Sequence, residues 1–307
     1  MTKSAAHVLA ATLEAHGVDV AYCVPGESYL PLTDAFLDFP SMKLVVCRHE
    51  GGAGLMAVAH ARLRNQPGVC IISRGPGAMN ASIALHVAYH DAEPVVFLVG
   101  QAERDELNRM TLQEMNYSKT YSDTAKMVIE VIDQRRIAED LARAFHVAQS
   151  GTPGPVVVVL PEDLLYGDCD AEPLGPRARA LTAPTPDDAA RALEMLRSAK
   201  KPLVIAGGRL HGAAALGDLT KFAEAFDLPV ASSQRRFHIF DSRHPNSAGR
   251  MANRAPAELL DIMKETDLLV VIGERIGPSM SQGYTFPRAP VPDQPMIHVW
   301  PDTNEVG

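Results

Sequence analysis

Short runs of β-branched and aliphatic residues recur along this chain, separated by longer stretches with helical spacing, and no feature restricts its fold more. Val18 to Val24, Leu44 to Cys47, Gly68 to Ser73, Pro94 to Gly100 and Pro155 to Leu160 read as strands. Ser4 to His16, Glu50 to Arg64, Gly77 to Tyr89 and Arg136 to Gln149 read as helices, with one more after Ser28. The strand runs are apolar on both faces, as a parallel sheet with helices on both sides requires. The expected fold class is therefore α/β, with a doubly wound parallel-sheet domain over residues 1–165. Residues 166–186 are proline-rich, follow neither period, and read as a linker. A second α/β domain is expected over 187–307, with helices at Asp187 to Ser198 and Ala213 to Phe226. Its strands are Lys201 to Gly208, Leu228 to Ala231, Asp267 to Gly273 and Pro295 to Trp300.

Charge and cysteine usage narrow the function classes. Lys plus Arg is 29 against 37 for Asp plus Glu, a formal net charge of −8 with no basic stripe, which argues against nucleic acid as a partner. The apolar runs are strand-length, far below the roughly 18 residues of a membrane span. The start, MTKSAAHVLAATLEAHG, lacks a basic segment followed by a dense apolar block, so a cytoplasmic chain is expected. Cys23, Cys47, Cys70 and Cys169 form no C-x-x-C pair and read as buried free thiols.

Two glycine clusters, GGAG at Gly51 to Gly54 and GPGAMN at Gly75 to Asn80, invite a dinucleotide reading. The second follows a strand, but Asn80 stands where the third glycine of G-x-G-x-x-G belongs, and no acidic residue follows about twenty positions on. What remains is that Gly75 and Gly77 let the backbone approach a ligand at the carboxyl end of a strand. His86 and His90, four apart beside Asp91, have a spacing that can hold a metal, yet no third ligand is evident; they read as structural histidines and no metal site is expected. No G-x-S-x-G turn supports a Ser/His/Asp triad. Glu50, in RHEGGAGLMA, stands between a β-branched strand and a glycine-rich helix start. It either complements the helix dipole or lies in a largely apolar pocket, where loss of water favours sharing a proton with a ligand nitrogen.

Seven segments occur in a recognisable order: VPGES (Val24 to Ser28), RHEGGAGLMA (Arg48 to Ala57), SRGPGAMNA (Ser73 to Ala81), PVVFLVGQ (Pro94 to Gln101), LQE (Leu112 to Glu114), SGTPGPVVVVLPEDL (Ser150 to Leu164) and KPLVIAGG (Lys201 to Gly208). With them the chain resembles the thiamine-diphosphate-dependent family of acetolactate synthases, pyruvate oxidases and 2-keto-acid decarboxylases, most nearly the acetolactate synthase large-subunit-like branch. The resemblance implies a pyrimidine-binding first domain and a central second domain. It implies that Glu50 hydrogen-bonds the cofactor's pyrimidine nitrogen and promotes the imino tautomer, which removes the thiazolium C2 proton. The cofactor then adds to a 2-keto acid such as pyruvate, carbon dioxide leaves, and a second carbonyl compound can be joined. By the same resemblance Gln113 reaches the substrate side. The loop Pro25 to Ser28, with Pro25, Gly26 and Glu27 as its cofactor-binding residues, lines the facing subunit's cofactor in a homodimer or tetramer, and Gly75, Gly77 and Asn80 form the turn beside the pyrimidine. Gly51 to Ala61 is the expected face toward a twofold partner, with Leu55, Met56, Val58 and Ala59 on it.

The family's third domain, which holds the diphosphate through a magnesium ion, has no counterpart in these 307 residues. The expectation is a thiamine-diphosphate-dependent lyase or transferase completed by a diphosphate-binding domain outside them, for instance on a separate polypeptide. The competing expectation is a non-catalytic remnant that binds nucleotides or dimerises with longer relatives. Leu112 and His90 stand where relatives often carry Phe and Gln. The central domain of some relatives binds FAD; SAGRMANRA (Ser247 to Ala255) lacks the pattern typical of those, leaving FAD an open expectation.

Overall fold

The structure is a computed structural model that describes residues 3–180 and 182–305. The chain forms two compact units, Met1–Ala180 and Leu181–Gly307. In the first, the elements are β1 (Lys3–Ser4), α1 (Ala5–Ala15), β2 (Val20–Cys23), α2 (Leu30–Ala35), β3 (Lys43–Val46), α3 (Glu50–Arg64), β4 (Gly68–Ile72) and α4 (Gly75–His90). They continue with β5 (Val95–Gln101), α5 (Tyr117–Thr120), β6 (Met127–Glu130), α6 (Ile137–Gln149), β7 (Pro155–Pro161), α7 (Glu162–Tyr166) and β8 (Asp168–Cys169).

Six strands make one parallel sheet in the order β3-β2-β4-β5-β7-β6. Every residue of β4, β5 and β7 is buried, because alternate side chains serve two different cores. Val69, Ile71, Val96 and Leu98 pack with α1 and α6, whereas Cys70, Ile72, Phe97 and Val99 pack with α3 and α4. Helices α3 and α4 cross closely: a methyl on Gly54 would lie 2.5 Å from the Ala84 Cβ. β6 was not evident in the sequence. It is an edge strand in which only Ile129 is buried, and its short apolar run, Met127 to Ile129, is broken at Glu130.

Part of the expected linker is tied into the first unit. β8 pairs antiparallel with β1, and the Ala5 N–H donates to the Gly167 carbonyl at 2.9 Å. The boundary between units falls further on, between Ala180 and Leu181.

The second unit runs α8 (Pro186–Ser198), β9 (Pro202–Ala206), α9 (Gly212–Phe226), β10 (Val230–Ser232), β11 (Ser247–Arg250), α10 (Ala257–Glu265), β12 (Leu268–Ile272) and β13 (Met296–Val299). Its sheet is also parallel, in the order β11-β10-β9-β12-β13, with apolar cores on both faces. β11 and α10 lie outside the elements read from the sequence. β11 is SAGR, with no apolar run, and its pairing with β10 shifts register after Val230. Among the described residues no helix is long and apolar enough to cross a membrane.

Candidate functional site

The first sheet reverses direction between β2 and β4: the chain moves from β2 outward to β3, then returns past β2 to β4. Open α/β sheets bind ligands outside the carboxyl ends of strands at such a reversal. The residues singled out in the sequence all lie on segments that leave these strand ends. Pro25, Gly26 and Glu27 follow β2, Glu50 follows β3, Gly75, Gly77 and Asn80 follow β4, and Gln113 is on the segment after β5.

The two central segments are pinned to each other. A methyl on Gly26 would sit 2.6 Å from both Cβ and Oγ of Ser73, so the loop after β2 rests directly on the turn after β4. Buried Ser28 reinforces this with a 3.1 Å hydrogen bond between its Oγ and that of Ser73. The buried Tyr29 hydroxyl donates to the Val24 carbonyl, closing the loop around Pro25 and Gly26. Burial, followed by nearby Cys23, Cys70 and Glu50, pushes the Tyr29 phenol well above its ordinary range, so it remains a donor. Ser28 belongs to the loop singled out in the sequence, but its bond to Ser73 and the role of Tyr29 had no sequence signal beyond a serine at the end of a fully apolar strand.

Glu50 is the first residue of α3 and its side chain is half-buried. Its Oε2 accepts a 3.0 Å hydrogen bond from the Asn80 Nδ2 on α4. A methyl on Gly77 would sit 3.2 Å from Oε1, so the absence of a side chain there leaves a notch beside that oxygen. Among the described residues nothing donates to Oε1. The surroundings are thus more polar and more open than an apolar pocket, which corrects one of the two readings of Glu50. The position in the first turn of α3 is the one the dipole reading requires, and the Asn80 amide adds a side-chain hydrogen bond to it. The geometry leaves one carboxylate oxygen oriented and one available, a suitable acceptor for a ring N–H.

Gln113 sits on a segment where Asn108, Met110 and Gln113 all have positive φ, at 64°, 61° and 62°. Three non-glycine residues in the left-handed region within six positions mark a backbone held by its surroundings. The ties are visible. The Gly75 N–H donates to the Gln113 carbonyl at 3.1 Å, the Asn108 N–H to Glu114 Oε1 at 2.8 Å, and the buried Gln101 Nε2 to the Met115 carbonyl at 2.8 Å. A methyl on Gly75 would lie 2.8 Å from the Gln113 oxygen. Gly75 therefore makes room for the Gln113 backbone, while the exposed Gln113 side chain stays available.

One more expectation changes. Of the residues expected on a partner-facing helix, Val58 is in the core with Gly54, Ala57 and Ala61, while Leu55, Met56 and Ala59 face outward. Met79 and Ile83 on α4 are also exposed, at 54% and 59%, so each helix presents apolar side chains outward. His86 and His90, read from the sequence as structural histidines, are exposed, with ring centroids 4.4 Å apart. Among the described residues no group of three or more His, Cys, Asp or Glu is arranged to hold a metal. The cysteines are free, and Cys23, Cys70 and Cys169 are buried; burial pushes the Cys23 thiol up to about 11.

Comparison with known proteins gives this geometry a context. Residues 3–120 match the thiamine pyrophosphate enzyme N-terminal TPP binding domain, and residues 189–307 match the thiamine pyrophosphate enzyme central domain. The chain belongs to the thiamine pyrophosphate enzyme family. It is 30% identical over 302 residues to acetolactate synthase from Mycobacterium bovis, covering 96% of this chain and 48% of the relative. It is 29% identical over 307 residues to the acetolactate synthase large subunit of Corynebacterium glutamicum, covering 98% and 48%. To the acetolactate synthase isozyme 2 large subunit of Escherichia coli it is 30% identical over 263 residues, covering 86% and 48%. The chain spans about half the length of the curated relatives it matches. The TPP-binding match covers every residue assigned above to the carboxyl edge of the first sheet, from Pro25 to Gln113.

Proposed function

We propose that this chain supplies the pyrimidine side of a thiamine-diphosphate site in an acetolactate-synthase-like carboligase or decarboxylase of 2-keto acids, of which pyruvate is the simplest. The observation that carries the reading is the Glu50 carboxylate, with Oε2 engaged by Asn80 and Oε1 facing the notch at Gly77. In this reading the edge of the pyrimidine ring lies beside Gly77, where a ring nitrogen would meet Oε1. When bound, the cofactor supplies a carbon nucleophile and an electron sink for decarboxylation. Glu50 holds a proton at the ring nitrogen, Asn80 fixes the carboxylate's orientation, and Gln113 lies toward the substrate. Pro25, Gly26 and Glu27 form the rim that faces a partner subunit.

Fixing one end of a cofactor does not set its reactive carbon against a substrate. The reading therefore includes a diphosphate-binding half outside residues 1–307, in cis or on another polypeptide, with magnesium held there by oxygen ligands. A second copy of the chain is expected over the outward surface of α3 and α4, where Leu55, Met56, Met79 and Ile83 are exposed. Four free cysteines suit a reducing compartment, and we place the assembly in the cytoplasm. A flavin is not part of the reading. A methyl on Gly208 would lie 2.2 Å from Arg236 Nε, so the glycine turn of the second unit is filled by its own side chains.

The test is Glu50→Gln in the assembly of this chain with its diphosphate-binding half. Folding should be preserved, while thiazolium C2 proton exchange falls by about a hundredfold or more, within the range for loss of a proton-transfer partner. Normal exchange removes Glu50 from the mechanism. Binding of thiamine diphosphate and dimer formation by wild type, without exchange, would instead identify a non-catalytic family member.

A further inference from the structure

We infer that His49 is a positioning residue for Glu50, holding the carboxylate in register through the first turn of α3 without itself touching the cofactor. The inference rests on the pyrimidine-side reading above and adds a residue to it. His49 is the N-cap of α3, with extended backbone at φ −157° and ψ 137°. Its Nδ1 accepts a 3.0 Å hydrogen bond from the Gly51 N–H, and its carbonyl accepts from the Ala53 N–H at 3.0 Å. Caps of this kind are normally Ser, Thr, Asp or Asn, whose short side chains reach an early helical N–H. An imidazole is a bulkier choice and needs room.

Gly51 provides that room. A methyl there would lie 3.1 Å from His49 Nδ1 and 3.0 Å from the Asn80 carbonyl oxygen. The first turn of α3 thus approaches both the His49 ring and the α4 backbone at Asn80 closely. The same asparagine then uses its side chain to bind Glu50 Oε2 at 3.0 Å. Three consecutive residues, His49, Glu50 and Gly51, fix one turn against one residue of the neighbouring helix. Because Nδ1 accepts, the ring proton resides on Nε2. Loss of the imidazole frees the Gly51 N–H, loosens the turn, and lets Glu50 drift from Asn80 and from the notch at Gly77.

Substitution separates positioning from general support. His49→Ala removes the acceptor, whereas His49→Asn keeps one at the N-cap. In the assembly loaded with thiamine diphosphate and magnesium, C2 proton exchange should fall at least about tenfold in His49→Ala, with cofactor affinity within about threefold of wild type. His49→Asn should recover most of the loss. In the 307-residue chain without cofactor, the Asn80 side-chain amide resonances should move in His49→Ala and return in His49→Asn. Wild-type exchange in His49→Ala, or no recovery in His49→Asn, overturns the positioning role. If Glu50→Gln abolishes exchange in the same series, the Glu50 assignment survives that failure; if Glu50→Gln also exchanges normally, the pyrimidine-side reading falls and this inference with it. Should His49→Ala not fold, the wild-type ring decides. Proton–nitrogen correlation spectra that place the proton on Nε2 support the cap, and a proton on Nδ1 overturns it.

Discussion

Both parallel sheets in this chain carry glycines at the carboxyl ends of the strands where their order reverses, and the two sets of glycines are used in opposite ways. In the first unit the missing side chain at Gly77 leaves space beside Glu50 Oε1, a charged atom with no donor among the described residues. In the second, the space at Gly207 is taken by Glu274, whose Cβ and Oε2 lie 2.4 Å from where a methyl would sit, and the space at Gly208 by Arg236. Gly207 and Arg209 also donate to the backbone carbonyls of Ile272 and Gly273, at 2.8 and 2.9 Å, stitching the strand ends together. A switch point supplies strand ends and helix starts in either case. Whether it can accept a ligand depends on what already fills the glycines.

The comparison is most sharply tested at Gly77. Gly77→Ala introduces a methyl 3.2 Å from Glu50 Oε1, in contact with the atom assigned to the cofactor. Gly77 lies in the first turn of α4, where Ala is the better helix former by up to about 1 kcal/mol, so folding stability should change little. C2 proton exchange in the assembly should fall by roughly one to two orders of magnitude, the range expected when a proton-transfer group is misplaced. Unimpaired exchange would mean the notch is not where the ring sits. Gly208→Ala should behave in the reverse manner. Its methyl would meet Arg236 Nε at 2.2 Å and the Cζ at 2.8 Å, and Arg236 is itself buried. The overpacking should destabilise the second unit by about 1–3 kcal/mol in denaturant melts while the first unit's exchange chemistry is retained. A stability-neutral Gly208→Ala would show that Arg236 can swing away, leaving the second turn able to open.

What was legible in the sequence divides along physical lines. Strands buried on both faces announce themselves as unbroken apolar runs, so β4, β5, β7, β9 and β12 were found within a residue or two. Edge strands β6 and β11 pair on one side only and bury little: β11 has no apolar run, and that of β6 is only three residues before Glu130 breaks it. Glu50 was conspicuous because a charge between a strand and a glycine-rich helix is unusual, yet its setting was misjudged. The Asn80 contact spans 30 positions, and the open face at Gly77 has no signature at all. Glycines were the least readable. Gly26, Gly54 and Gly75 accommodate Ser73, Ala84 and Gln113, whereas Gly77 leaves a notch, and only their neighbours in space distinguish these uses. The residues expected on a partner-facing helix divide between buried Val58 and exposed Leu55, Met56 and Ala59 for the same reason. Helical spacing puts Val58 and Ala59 on different faces, but which face meets α4 required the fold.

The smallest effect expected to separate the two units is a response to acid. His298 on β13 donates its Nε2 proton to the carbonyl of Glu274, at 3.0 Å, and Glu274 is the residue that fills the Gly207 space. Burial holds the His298 imidazole below its ordinary range; the bond to Glu274 and the charge of Glu305 oppose that shift and are outweighed. The unfolded chain therefore binds a proton more readily at this position than the folded one does. Stability contributed by neutral His298 is present above the unfolded imidazole value of about 6.5, and is lost as pH falls below it. His16 in the first unit has the same direction of shift, mainly from burial, with its Nδ1 bonded to the Thr12 carbonyl at 2.9 Å. Acidification from about pH 7.5 to about pH 5 should thus weaken both units. His298→Gln keeps a donor toward Glu274 but cannot take up the proton, so it should flatten the acid response of the second unit alone. Amide exchange resolved by unit would read this directly. An unchanged slope in the second unit would place its acid sensitivity elsewhere, and would detach His298 from the closed turn that distinguishes this sheet from the first.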